Sequence, residues 1–459
     1  MTTPRGGEES SAPRAVLWGL AGGSILIPLN STMLAVAIPS IMDEFKVEAS
    51  AAALLVSAYL AAVAIVIPIS GGLGDRFGHR RMFLFGVTAF SLTSMLGAFA
   101  WTFPVLVGAR ILQGISGAVI TPNSVSLVRT IAPESRRGST FGMFDMLISV
   151  SAAAGPFVGG LFVNGLGWRS LFLLVLPIGG TAIVTVRKQL AESKIRMDNP
   201  PMDIAGLVLL AIFLGGLVVG LQRLGDGSAG RWQILVSLVS LGLFVVRESR
   251  AAHPALPLSL FKQKGFSAAI AGVFGATVIL HATFFLVPIF IQNLLFGSAL
   301  MTGLVLLGLS AVGGSVAPFS GRLSDRVGRR TPAVAGSLSM AAGMGLLSLF
   351  SESATLIVIA GCLCLVGIGF GMSGTPRQTS ALESAHASRT GMAAGIYYSS
   401  RYIGGSIGAT LAGVTLAEQA NRAAMSRAFG MLFVTAVLVA AFSFRLPGAP
   451  LRQRIIDPA

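Results

Sequence analysis

The sequence predicts an all-α integral membrane protein of fourteen transmembrane helices, built as two six-helix halves with two helices inserted between them. Three observations predict it. The chain of 459 residues is 53% hydrophobic and 11% charged, with a mean hydropathy of +0.79, whereas soluble domains carry roughly 25% charged residues. Its apolar residues gather into fourteen runs of spanning length, about 20 residues each. A fifteen-residue stretch occurs twice, 250 residues apart, with residues 66–80 aligning without gaps on 316–330 at nine identical positions.

Taken in order, the runs cover approximately 15–39, 50–70, 82–100, 103–126, 139–163, 168–187, 204–222, 232–246, 266–289, 300–320, 332–350, 354–374, 391–416 and 428–445. Against lipid each backbone polar group needs a partner within its own segment, so each run is expected to be a helix. The eighth is the shortest. The first, following Arg14, is too long for a signal-peptide core and reads as a span that stays. The 57 glycines suit close helix approach in lipid. Cys362 and Cys364 lie in one run, two residues apart, and read as small core residues.

The net charge of +15 does not point to nucleic acid, because the basic residues sit in short loops between apolar runs. With the N-terminus inside, the inner segments hold 25 of the 33 Lys and Arg residues and the outer loops hold 6; Arg110 and Arg401 fall within spans. That asymmetry places both termini in the cytoplasm; the expected location is the inner or plasma membrane of a bacterium. Both repeat copies then lie on the cytoplasmic side, between spans 2 and 3 and between spans 10 and 11. A plain duplication would place the second copy two spans earlier, so spans 7 and 8 are an insertion. The expected units are an N-terminal half (1–190), a linker with two inserted helices (191–262) and a C-terminal half (263–459).

Several motifs carry a resemblance. Residues 71–81, reading Gly-Gly-Leu-Gly-Asp-Arg-Phe-Gly-His-Arg-Arg, match the loop signature of the major facilitator superfamily. Arg110-Ile111-Leu112-Gln113-Gly114 resembles its fourth-span signature. Gly142, Ser151 and Gly155-Pro156-Phe157-Val158-Gly159-Gly160 resemble its fifth-span antiporter signature, with Ser151 where glycine is usual. Gly167-Trp168-Arg169 and Leu176-Pro177-Ile178-Gly179 are similar to the fourteen-span drug:proton antiporter branch. The resemblance implies a major facilitator fold and alternating access. The activity it implies is proton-coupled export of small amphiphilic compounds, with protons and membrane lipids as the other partners and a monomer as the working unit. One departure stands out. That branch carries an aspartate in the first span where this chain reads Leu29-Asn30-Ser31-Thr32. Asn30 cannot titrate, so dicationic compounds are expected to be poor substrates.

Residue by residue, the candidates are these. In the loop copies, Gly71, Asp75, Arg76, Gly78 and Arg80, with Asp325, Arg326, Gly328 and Arg329, combine glycines for a tight turn with acids and bases. They read as an ionic latch between the halves, against the alternative of inner-loop charge at a turn. Arg110, Gln113, Gly117, Thr121 and Ser124 are spaced 3, 4, 4 and 3 and form one polar stripe on a helix. The stripe is expected to face the central pathway; the competing reading is a structural arginine held by backbone carbonyls. Gly155-Pro156 should bend and thin the fifth span. Asp145 is the acid clearly within a span, roughly 10 Å in from Gly138, and reads as part of the inner latch or as a proton carrier. His281 lies deep in span 9, opposite Thr32 when Pro288 is aligned with Pro39, and can relay protons. Tyr397, Tyr398, Arg401 and Tyr402 cluster in span 13, and Tyr59 is the remaining tyrosine, in span 2. They suit either a flat, partly polar ligand or an interhelical hydrogen-bond knot.

No nucleotide-binding signature, metal-ligand cluster or nucleophile triad occurs in the sequence. Neither an enzyme nor an ATP-driven pump is expected, and no cofactor beyond a proton gradient. The competing functions are uptake or facilitated passage of a neutral or anionic solute, and a non-transporting membrane sensor or lipid-handling protein.

Overall fold

The computed structural model describes residues 12–131, 137–190, 203–223, 228–251, 258–350, 355–384, 390–416 and 421–448. Its described residues form fourteen long helices: α1 (Ala12–Phe45), α2 (Leu54–Phe77), α3 (His79–Ala98), α4 (Phe103–Ile131), α5 (Arg137–Leu166), α6 (Arg169–Gln189), α7 (Ile204–Gln222), α8 (Ser228–Arg250), α9 (Lys264–Ile289), α10 (Ala299–Val327), α11 (Arg330–Phe350), α12 (Leu356–Glu383), α13 (Thr390–Thr415) and α14 (Arg422–Ser443). A four-residue helical turn, Ala49–Ala52, leads into α2, and α9 runs on past Pro288 into a π turn at Phe290–Leu294. Thirteen of the fourteen are long and apolar enough to cross a membrane. The exception, α13, has the length, but its Tyr397–Tyr402 stretch and its glycines dilute its apolar character.

The helices outrun the apolar runs at their ends. Residues 232–246 become the 23-residue α8 because Ser228 to Arg231 and Arg247 to Arg250 continue the helix. Charged ends of this kind can snorkel to the interface. Likewise α12 passes through Pro376 to Glu383, so Arg377, assigned from the sequence to an inner loop, is a buried intrahelical residue.

Packing repeats between the halves, pair for pair. In the first half α1 lies against α5 and α6, α4 against α2 and α3, and α3 against α6. In the second, α9 lies against α13 and α14, α12 against α10 and α11, and α11 against α14. The halves meet through α5 on α10, α2 on α13 and α1 on α9. Helices α7 and α8 form a hairpin whose α7 edge rests along the α2–α13 seam. The Ser237 and Ser240 hydroxyls donate across this hairpin to the carbonyls of Phe213 and Leu209. Its base is tied by Asp203, which caps α7 at the Gly206 N–H and pairs with Arg247 at 2.6 Å. Burial alone would raise the Asp203 carboxyl; the hydrogen bonds from Arg247 and Gly206, with the Arg247 charge, hold it below the usual carboxylate range. The outer face of α8, with Trp232, Leu235, Val239 and Leu243, is exposed and apolar, as a lipid-facing surface should be.

Candidate functional site

A cavity of about 290 Å³ lies between the halves. Its wall takes Ile27, Pro28, Ser31 and Thr32 from the middle of α1, and Ala152 and Ala153 from α5. The second half supplies the rest, from α9, α10, α12 and α13. His281, Arg377, Gln378, Tyr397, Arg401 and Tyr402 are its chemically active members.

Glycine makes the closure beside this cavity. A Cβ on Gly160 would lie 2.6 Å from the Ala299 carbonyl oxygen, and one on Gly303 would overlap the Pro156 carbonyl. A Cβ on Gly413 would meet Ala53 at 2.5 Å and the Ala49 carbonyl at 2.9 Å. These contacts sit at the helix ends remote from Gly78 and Gly328, together with the Gln292 amide donating to the Val36 carbonyl at 3.0 Å. Backbone therefore rests on backbone where α5 meets α10 on the far face. The Ser406 hydroxyl donates to the Ser57 carbonyl at 2.8 Å and carries the α2–α13 contact to mid-depth. Gly155 and Gly159, from the same motif as Gly160, face α1 instead, against Thr32 and Met33. The motif thus thins α5 on two sides, toward its own half and toward the other.

His281 sits where three helices converge. Its Nδ1 is 3.1 Å from the Thr277 carbonyl, which can only accept, so Nδ1 carries the proton and Nε2 is the atom left to gain or lose one. Gly405 of α13 lies so close that a Cβ there would be 2.8 Å from Nδ1 and 3.0 Å from Leu60 of α2. Thr32, the residue paired with His281 by the Pro39–Pro288 alignment, shares the cavity wall with it. On α13, Tyr397 and Arg401 both reach the cavity, as their i, i+4 spacing suggests. Tyr398 does not; its ring packs edge-on against Tyr397 and its hydroxyl accepts from the Gln378 amide at 3.1 Å. Arg401 lies over the Phe370 ring at 5.9 Å.

The first-half candidates Asn30, Tyr59, Arg110 and Gln113 are elsewhere. Arg110 is fully buried within the N-terminal helices. Its Nε donates to the Leu55 carbonyl at 2.9 Å, and its Nη1 donates to the Asn30 and Gln113 side-chain oxygens. Its guanidinium stacks on Tyr59 at 4.1 Å. The Gln113 amide donates on to Ser94 of α3, and farther down the stripe Ser124 accepts from Ser24 of α1. The stripe on α4 is therefore one face, but it faces α1, α2 and α3. Asn30, Tyr59, Arg110 and Gln113 form an enclosed knot and contribute nothing to the cavity wall. An aspartate at position 30 would meet Arg110, so the expectation that this position meets a cationic substrate is corrected. The side chain of Asp145 lies outside the described residues.

The duplicated loops hold matching clamps of different chemistry. In the first, His79 bridges Asp75, at 3.1 Å through Nε2, and Asn123 of α4, at 2.8 Å through Nδ1. In the second, Arg329 bridges Asp325 at 2.8 Å and Glu383 of α12 at 2.7 Å, with Ser324 as a third acceptor. Burial opposes the Arg329 charge, and its two carboxylate partners more than offset it, raising its pKa. Both turns depend on glycine, since Gly78 and Gly328 have φ of +98° and +88°. Arg80 donates to the Arg187 carbonyl within its own half, while Arg76 and Arg326 are exposed. Among the described residues the ion pairs of Asp75 and Asp325 stay within their own half, where a latch between the halves was expected. The acids reach the base one turn away before they reach the opposite half.

Arg377 was missed by sequence reasoning. It is 1% exposed, donating to Ser373, Ser337 and Ser443. The signal was present: Ser373, Arg377 and Ser380 are spaced 4 and 3, as on α4.

Comparison with known proteins agrees with this architecture. The family model of the Major Facilitator Superfamily matches residues 20–409. The chain is 31% identical to the "Tetracenomycin C resistance and export protein" of Streptomyces glaucescens, over 89% of this chain and 76% of that one. It is likewise 31% identical to "Multidrug resistance protein Stp" of Mycobacterium tuberculosis, over 86% of this chain and 74% of that one. In structure it resembles a D-xylose–proton symporter with a TM-score of 0.69 at 16% identity, covering 95% of this chain and 99% of that one. A POT family transporter crystallised with 5-aminolevulinic acid gives 0.70 at 16% identity, covering 93% and 95%. The fold and the family match agree, and the chain belongs to the Major Facilitator Superfamily, a family of small-molecule transporters and not of enzymes.

Proposed function

We propose that this transporter exports small amphiphilic compounds across a bacterial plasma membrane by proton-coupled alternating access, working as a monomer with both termini in the cytoplasm. Residues 1–190 and 263–459 would rock about the central cavity, while 191–262 attach along one seam. The observation that carries the reading is His281. It is a titratable side chain on the cavity wall, packed at once against α13 and close to α2, so its proton sits where the halves meet. The resistance and export relatives support the direction. Arg110 keeps its proton too tightly to carry it, and its knot instead fixes the first half as a rigid body.

His281→Gln keeps a polar side chain of similar reach and abolishes titration. In proteoliposomes we expect binding and substrate exchange to survive while uphill, gradient-driven transport is lost. Each proton moved across 100 mV is worth about 2.3 kcal/mol, which does work only through a group that binds and releases it. Full proton-driven accumulation by the variant rejects the assignment and makes Asp145 the next candidate.

The loop clamps are assigned to conformational switching. Asp75→Asn removes the charge facing His79 without changing shape. Transport should slow several-fold with equilibrium substrate affinity unchanged, read from binding isotherms beside initial rates. Lost affinity at an unchanged rate contradicts the assignment.

A further inference from the structure

We infer that the central cavity takes an amphiphilic organic anion: an apolar or aromatic body bearing one carboxylate or comparably acidic group. The inference rests on reading this cavity as the transport site.

The charge on the wall has one sign. Arg377 and Arg401 both contribute to it, and none of its described residues is Asp or Glu. Neither arginine is neutralised. Arg377 is enclosed, yet the groups that accept from its Nη atoms are serine hydroxyls, which carry no charge, and its Nε has no partner. Arg401 is partly exposed and lies over Phe370, without a hydrogen bond or ion pair to a described residue. A membrane protein ordinarily pairs such groups, because an arginine at this depth is expensive unless a partner or water-filled cavity meets it. Two unpaired guanidiniums on one cavity leave the compensating charge to the substrate.

The rest of the wall defines the remainder of the ligand. Val273, Leu280, Phe284, Leu309 and Phe370 are apolar and bound most of the space. Tyr397, Tyr402 and Gln378 add neutral hydrogen-bonding groups beside the arginines. A flat apolar body against the first set, with an acidic group toward the second, satisfies both. A cation there would face two like charges with no carboxylate to offset them.

A matched trio of probes tests this: 9-anthracenecarboxylate, its neutral carboxamide and an anthracenylmethyl-trimethylammonium. Each is titrated by its own fluorescence against the purified protein in nanodiscs, without a gradient. A charge-assisted contact distinguishes the carboxylate from the carboxamide by about tenfold or more. We expect the carboxylate to bind that much more tightly than the carboxamide, and the ammonium compound to bind weakest. Arg401→Gln should erase the preference for the carboxylate, and Arg401→Lys should retain most of it. Because Arg401 is partly exposed, these variants avoid the packing role of Arg377. Equal or tighter binding of the ammonium compound overturns the inference, as does an unchanged preference in Arg401→Gln, or no binding by any of the three. Selective carboxylate binding without uphill transport upholds it while rejecting the export reading.

Discussion

Gly160→Val is expected to reduce transport to background while leaving the protein folded and inserted. The added Cβ falls 2.6 Å from the Ala299 carbonyl oxygen and 3.0 Å from the Leu300 Cα, so no rotamer of the new side chain relieves the overlap. Overpacking of this kind costs about 1–3 kcal/mol. Here the strain is felt only while α5 rests on α10, so it acts on the conformational equilibrium more than on the helices. At about 1.4 kcal/mol per tenfold change, the far-face-closed state loses roughly 5- to 150-fold in population. Two measurements check this. Efflux from proteoliposomes should fall to background, and a cysteine at Gln292 should react faster with a membrane-impermeant thiol reagent added to the far face. Gly160→Ala should be intermediate. Gly165→Ala, where nothing lies within 4 Å, should be neutral. Parental transport by Gly160→Val would show that this contact need not close.

Arg110→Leu is expected to destabilise the protein by about 3 kcal/mol or more, through the buried acceptors it leaves without a donor. The Leu55 carbonyl, Asn30 Oδ1 and Gln113 Oε1 all lose their donor while buried, at roughly 1–3 kcal/mol for each group left unmade. The Tyr59 ring loses its cation as well. Arg110→Lys retains the charge but, as a single ammonium, cannot span the three acceptors, and should fall between. The readout is the thermal midpoint in detergent, with a drop of at least about 5 °C for the leucine variant. If Arg110→Leu is as stable as the parent but has lost substrate binding, Arg110 belongs to the pathway after all.

The two arginine environments show what was legible in the sequence. The spacing of Arg110, Gln113, Gly117, Thr121 and Ser124 correctly gives one face of α4. Which face of a span meets a cavity depends on partners far along the chain: Asn30, eighty residues away, and Leu55, fifty-five away. No local pattern encodes that, and a stripe buried against sister helices reads the same as one lining a channel. Arg377 was lost for a different reason. Hydropathy falls at residue 374, and Pro376 looks like a stop, yet the helix continues to Glu383 because its serines lie against neighbouring helices. The helices themselves were legible because lipid leaves the backbone no alternative. The second loop repeat revealed the duplication, and the helix pairings follow it. The change of clamp from His79 with Asn123 to Arg329 with Glu383 could be read only from the folded chain.

The glycine contacts at the far face have a consequence for energy conservation. Where a methyl group does not fit between Gly160 and Ala299, a water molecule, which needs about 10–15 Å³ of its own, does not fit either. A chain of hydrogen-bonded waters cannot thread such a contact, and without one protons cannot hop through it. At this α5–α10 contact the closure is backbone on backbone, so no side-chain rotation there admits solvent. If transport is proton-coupled as proposed, this contact while closed would not itself leak protons, so crossing here would require the helices to part.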